Sequence, residues 1–179
     1  QLLKRGQLRW GSNLFHIGII GLMFGHAVGL LTPHEVYHAM GLSTELKQLI
    51  AMVAGGIMGS ICLAGVLLLV HRRLTEPRIL ATSTRMDIFI LLWILATLCL
   101  GLFSIVISSQ HMDGSVMLLL ADWAQHIVTF RAGAAELLTN VSVFYKIHLF
   151  FGMTLFVLFP FSRLVHVWSG FASVLYVLR

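Results

Sequence analysis

The sequence predicts an all-α integral membrane protein, a bundle of four transmembrane helices. Three observations carry that prediction. Of the 179 residues, 58% are hydrophobic and only 11% charged, whereas a soluble globular domain is roughly a quarter charged. Four apolar runs come close to or exceed the ~20 residues needed to span a hydrocarbon core of about 30 Å. The basic side chains gather in short clusters between those runs, the distribution of membrane topology.

Taken in order, residues 1–10 are polar and basic, with Lys4, Arg5 and Arg9. The first span is expected over residues 12–31, with Ser12 or Asn13 as cap. Thr32-Pro33 ends it, because proline lacks a donor and biases the residue before it away from the helix. Residues 33–47 form a polar connection containing His34, Glu35, His38, Glu45 and Lys47. The second span covers residues 48–70, stopped by His71-Arg72-Arg73. A basic loop through Pro77 and Arg78 leads to Arg85, and the third span follows over residues 86–108.

Residues 109–140 are a long connection. Within it, residues 116–128 carry Asp122, Trp123 and His126 and are too short and too polar to span, so an interfacial amphipathic helix is expected. The fourth span is expected over residues 141–168 with a kink at Pro160. The apolar tail 169–179 reads as the stub of a helix lying along the membrane surface. All of 1–179 is read as one transmembrane domain. The chain starts with Gln1 and shows no signal-peptide pattern, so it reads as a fragment lacking its natural start.

Composition excludes several functions. Two cysteines, Cys62 and Cys99, are too few for an iron–sulfur cluster, and both sit in apolar runs as packing residues. A net charge of +5 dispersed between apolar runs is not a phosphate-binding face, so no nucleic-acid partner is expected. With four spans, Lys4, Arg5, Arg9, Arg72, Arg73, Arg78, Arg85, Arg163 and Arg179 share one side of the bilayer. The other side has Lys47, Arg131 and Lys146. Nine against three of the 12 basic residues puts the N-terminus and the basic loop on the cytoplasmic side.

Histidines inside the spans carry the chemistry. An ionisable residue at membrane depth is costly and is a functional candidate by default. His16 and His26 lie in the first span, His148 and His166 in the fourth. The two spans are antiparallel, so topology pairs His16 with His166 on the cytoplasmic side and His26 with His148 on the outer side. Ten residues of helix separate one couple by about 15 Å and eighteen separate the other by about 27 Å, a mean near 21 Å that suits two stacked haems. At ~100° per residue His148 and His166 share a face, while His16 and His26 differ by ~80°.

Two imidazoles per iron fill both axial positions and make an electron carrier, with no open position for oxygen chemistry. Gly18, Gly21, Gly25 and Gly29, with Gly55, Gly56 and Gly59, either admit a flat macrocycle or serve ordinary close helix packing. His34 with His38, and Asp122 with His126, are one turn apart and are weaker metal candidates. His71 reads as a headgroup contact, and His111 as a lining residue of a quinone pocket.

Several stretches together resemble the gamma subunit of the bacterial respiratory nitrate reductase, a dihaem cytochrome b membrane anchor. They are SNLFHIG with the following GH, LLTPH, AMVAGG, CLAGVLLL before Arg72 to Leu74, PRILAT, SSQHMDGS, WAQHIVTF and IHLFFGMTLFVLFPFSRLVHVWS. They cover nearly the whole chain. The resemblance implies five membrane helices, of which the first is missing here, and two b-type haems. It implies the same pairing, with His26 and His148 at the outer iron and His16 and His166 at the cytoplasmic iron. It also implies quinol oxidation near the outer haem at Gly25, His26 and Lys47. Independently, Lys47 is a lone cation on the sparsely charged side and can donate to a quinone carbonyl.

The implied activity is oxidation of a membrane quinol, menaquinol or ubiquinol, in the bacterial cytoplasmic membrane. Electrons would pass through both haems to an iron–sulfur beta subunit, then to a molybdenum-containing alpha subunit that reduces nitrate. Arg72, Arg73 and Arg163 are candidates for the inner haem propionates, since a guanidinium matches a carboxylate. The alternatives are a cytochrome b serving a formate dehydrogenase, hydrogenase or heterodisulfide-reductase-type complex, and a haem-free proton-coupled transporter. The transporter would carry acidic partners within its helices, and the first, second and fourth spans have none between their ends.

Overall fold

The computed structural model describes residues 2–166, all helix and connections. The tail 169–179, expected to lie along the membrane surface, falls outside the described residues. Four helices are long and apolar enough to cross a membrane. They belong to α1 (Leu2–Leu31), α3 (Thr44–Thr75), α5 (Arg85–Ser108) and α8 (Val143–Leu158), joined by the short helices α2 (His34–Ala39), α4 (Pro77–Thr82), α6 (Ser115–Val128) and α7 (Ala134–Leu137).

Helix α1 begins ten residues before the expected start, because Ser12 does not cap. The Ser12 carbonyl instead accepts from His16 Nδ1 at 2.7 Å, one turn along the same helix. Helix α3 also starts early. Ser43 is its cap and accepts from the Leu46 amide at 3.2 Å, which places Lys47 in the first turn of α3 and not in a loop. It then runs through His71-Arg72-Arg73 to Thr75, since cations suit a helix C-terminus. It stops at Glu76 (φ −93°, ψ 109°), the extended residue that Pro77 demands. Helix α5 opens on a reciprocal cap between Thr84 and Asp87.

The fourth span differs most from expectation. It is not one kinked helix over 141–168. Helix α8 ends at Leu158, two 3₁₀ turns follow at Phe159–Phe161 and Arg163–Val165, and Ser162 between them is extended (φ −129°, ψ 170°). Pro160 has no N–H to continue the ladder, so the helix ends instead of bending. His148 and His166 therefore do not share a helical face, and their separation is not set by a continuous helical rise.

The long helices pack in the order α1, α3, α5, α8. Cys62, Val66, Ile90, Ile94 and Leu98 form the buried centre, with Phe15, Ile19, Leu22, Leu155, Leu158 and Leu164 against it. Gly18 sits against Cys62, and Gly65 against the Phe15 backbone, so close that a side chain on either would collide with α1 or α3. Helix α8 is tied to α5 by Trp93, whose Nε1 donates to the Phe151 carbonyl at 3.0 Å while its ring stacks on Phe151 at 4.2 Å. Ser108 and the Tyr145 hydroxyl bond at 2.8 Å one end further along. Helix α6 covers the end of α1, Gln125 Nε2 donating to the Leu30 carbonyl at 3.1 Å, which satisfies an acceptor that the helix end leaves free.

Candidate functional site

Helix α1 and the α8 segment face each other through two histidine pairs. His16 and His166 have ring centres 6.1 Å apart, and His26 and His148 are 6.2 Å apart. A metal–imidazole bond of about 2 Å on each side, with about 1 Å from each nitrogen to its ring centre, requires close to that spacing.

The tautomers suit ligation as well. His16 Nδ1 lies 2.7 Å from the Ser12 carbonyl, His26 Nδ1 2.8 Å from the Leu22 carbonyl, and His166 Nδ1 2.6 Å from the Arg163 carbonyl. In each case Nδ1–H donates to the backbone, which leaves Nε2 with its lone pair as the ligating atom. His148 is the exception, its Nδ1 buried without a hydrogen-bond partner.

Among the described residues, no three His, Cys, Asp or Glu side chains converge on one point. Two histidines per centre suit a metal whose other ligands arrive with it, as a porphyrin's do. The backbone beside His26 and His148 is open. A side chain at Gly25, Gly29 or Gly56 would meet nothing within 4 Å, nor would one at Gly152, a turn beyond His148. The glycines thus divide: Gly18 and Gly65 serve helix packing, whereas Gly25 and Gly29 border open volume. Gly101, which sequence reasoning passed over, belongs to the site. A β-carbon there would stand 2.9 Å from His148 Cε1, so its absence gives the ring its place on α5.

Lys47 is on the side of the bundle that carries His26. Its Nζ is buried without a hydrogen-bond partner and stands 3.7 Å over the centre of the Tyr37 ring. Tyr37 is 4% exposed, and its hydroxyl is likewise buried and unpartnered. Burial, with the charges of Asp122 and Glu35 beside it, holds the Tyr37 phenol above its ordinary range. Tyr37 was not singled out from sequence, and only its setting between His34 and His38 hinted at it. Gly25, beside His26, keeps its surroundings open.

At the other end, Arg163 Nε pairs with Asp87 Oδ1 at 3.0 Å, and Arg73 Nη1 approaches Asp87 Oδ2 at 3.9 Å. Arg72 Nε is buried without a hydrogen-bond partner. Two of the three arginines expected at a haem propionate are therefore held by Asp87, each with further N–H donors to spare. Asp87 also closes the reciprocal cap with Thr84 at the start of α5. The weaker candidates stay peripheral. His34 and His38 have ring centres 5.3 Å apart, His34 meets Glu35 at 3.4 Å, and the His111 carbonyl accepts from Gln48 Nε2 at 2.9 Å.

Residues 1–179 match the family described as nitrate reductase gamma subunit. The chain is 52% identical over 169 residues to the respiratory nitrate reductase 1 gamma chain of Escherichia coli (strain K12), covering 94% of this chain and 75% of that one. It is 54% identical over 167 residues to the respiratory nitrate reductase 2 gamma chain of the same strain, covering 93% and 73%. Against the nitrate reductase gamma chain of Bacillus subtilis (strain 168), identity is 34% over 169 residues, covering 94% and 75%.

Proposed function

The chain belongs to the nitrate reductase gamma subunit family, and on that premise we propose that it is the quinol-oxidising dihaem cytochrome b anchor of a respiratory nitrate reductase. The observation that carries the proposal is the two opposed histidine pairs at 6.1 and 6.2 Å, with Nδ1 turned to a backbone carbonyl in three of the four rings. His26 and His148 hold the outer haem iron, and His16 and His166 the cytoplasmic one. When bound, the two haems supply one-electron carriers at either end of the bundle.

The protein's own groups do the rest. Each Nδ1–H to carbonyl bond fixes the ring and raises the basicity of its Nε2. Lys47 Nζ has no protein acceptor, which leaves its protons for a quinol or quinone oxygen, and Gly25 leaves room for the headgroup against His26. Oxidation of one quinol releases two electrons and two protons, the protons on the outer side. The clustered arginines support a cytoplasmic side for the His16/His166 end. There the iron–sulfur subunit docks, with the molybdenum-containing catalytic subunit beyond it.

Replacement of Lys47 by Ala tests the quinol end in the assembled complex. The variant keeps two haems per chain but loses their rapid reduction by added quinol, while chemical reduction stays complete. Quinol-driven reduction at the wild-type rate would remove Lys47 from the site.

A further inference from the structure

We infer that Asp87 is the positioning residue of His166, acting through Arg163. The inference rests on His166 being a haem ligand, as proposed above. The segment that carries His166 has left helix α8, so the α8 ladder does not set the direction of its ring. What sets it is a chain of contacts. His166 Nδ1 donates to the Arg163 carbonyl at 2.6 Å, and the Arg163 guanidinium forms an ion pair with Asp87, Nε to Oδ1 at 3.0 Å. The carboxylate at the far end is itself fixed. Its Oδ2 accepts from the Thr84 amide at 3.0 Å, and Thr84 Oγ1 accepts in return from the Asp87 amide at 3.2 Å. Arg73 from α3 approaches the same Oδ2 at 3.9 Å.

Only 8% of the Asp87 side chain is exposed, against 74% for Arg163. The buried carboxylate is thus a fixed post at the start of α5, and the exposed arginine is the part that would wander without it. Both carboxylate oxygens are committed, one to the helix cap and one to Arg163, so the cap and the ligand segment share a single anchor. Among the described residues the segment is also restrained by the packing of Leu164 on the core, by the Ser162 hydroxyl, which accepts from the Leu164 amide at 3.3 Å, and by the His166 amide, which donates to the Arg163 carbonyl. The last of these closes the turn on the carbonyl that the His166 ring uses, and the Arg163 side chain is what ties that turn to the start of α5. Ring orientation is a property that a partner beyond the ligand controls at a metal site.

Asp87→Asn separates the two duties. The amide oxygen still caps through Thr84, but the NH₂ group now faces the Arg163 guanidinium, donor against donor. Low-spin haem signals in electron paramagnetic resonance respond to the mutual angle of the axial rings, and both haems are read in one spectrum of the intact complex. Asp87→Asn should shift the signal of the His16/His166 haem alone, and Arg163→Gln, a change at an exposed position, should produce the same shift. The double variant should move it no further than either single one.

Wild-type signals in Asp87→Asn or in Arg163→Gln would overturn the inference, as would equal disturbance of both haems or additive shifts in the double variant. His166→Ala is the companion control. Loss of one haem there supports ligation independently of Asp87, whereas retention of both contradicts ligation itself and removes the positioning role with it.

Discussion

Gly101 offers the sharpest perturbation of the outer site. A β-carbon at that position stands 2.9 Å from His148 Cε1, 3.4 Å from Nε2 and 3.6 Å from Nδ1. Carbon–carbon contacts settle near 3.5–4.0 Å, so in Gly101→Ala the ring must retreat by roughly 0.6–1 Å. It cannot follow its helix, because Trp93 holds α8 on α5 through the Phe151 carbonyl at 3.0 Å. Overpacking of this kind costs about 1–3 kcal/mol, which predicts an outer-haem affinity weakened on the order of 5- to 150-fold. Helix stability moves the other way, since alanine is favoured over glycine in a helix by about 1 kcal/mol. Haem loss in this variant is therefore not unfolding. Gly101→Leu should empty the outer site altogether while the inner haem stays. Haem per chain with a potentiometric titration reads both sites, and two haems at wild-type potentials in Gly101→Leu would refute the placement of His148 against α5.

Two other perturbations follow from the same contacts. Tyr37→Leu removes the ring beneath Lys47 Nζ, a cation–π contact of about 0.5–2 kcal/mol; KM for quinol should rise roughly 2- to 30-fold with haem content unchanged, and a wild-type KM would show that the ring does not hold the ammonium. Gln48→Leu strips the donor shared by the Ser108 and His111 carbonyls, at 3.1 and 2.9 Å. Resistance to denaturant should fall by about 1–3 kcal/mol, and an unchanged midpoint would mean that those acceptors find another partner.

Much of the architecture was legible because its signals are local. Apolar length marked the four spans, and Pro33 and Pro77 mark two of the helix ends in the structure. The helix expected at 116–128 is α6, Ser115–Val128. What misled was also local. Ser12 carries cap chemistry, but nothing before it breaks the helix, so it sits mid-helix and serves His16. His71-Arg72-Arg73 looked like a stop, yet cations at a helix C-terminus are stabilising, and only Pro77 ends α3. Pro160 suggests a kink, whereas the chain there turns into 3₁₀ structure, and His166 is the residue that follows the second turn. The four histidines were visible as polar residues in apolar runs. Gly101, Tyr37 and Asp87 were not, because their parts depend on contacts 47, 10 and 76 positions away along the chain, to His148, Lys47 and Arg163.

The central claim is that two histidine pairs each hold one haem. A reduced-minus-oxidised optical spectrum of the purified complex, with haem quantified per gamma chain, tests it most directly when repeated on His148→Ala and His166→Ala. Two b-type haems are expected in the wild type. His148→Ala should lose the outer haem and retain the inner, and His166→Ala should do the reverse. A wild type without a b-type band, or either variant with both haems intact, would contradict it.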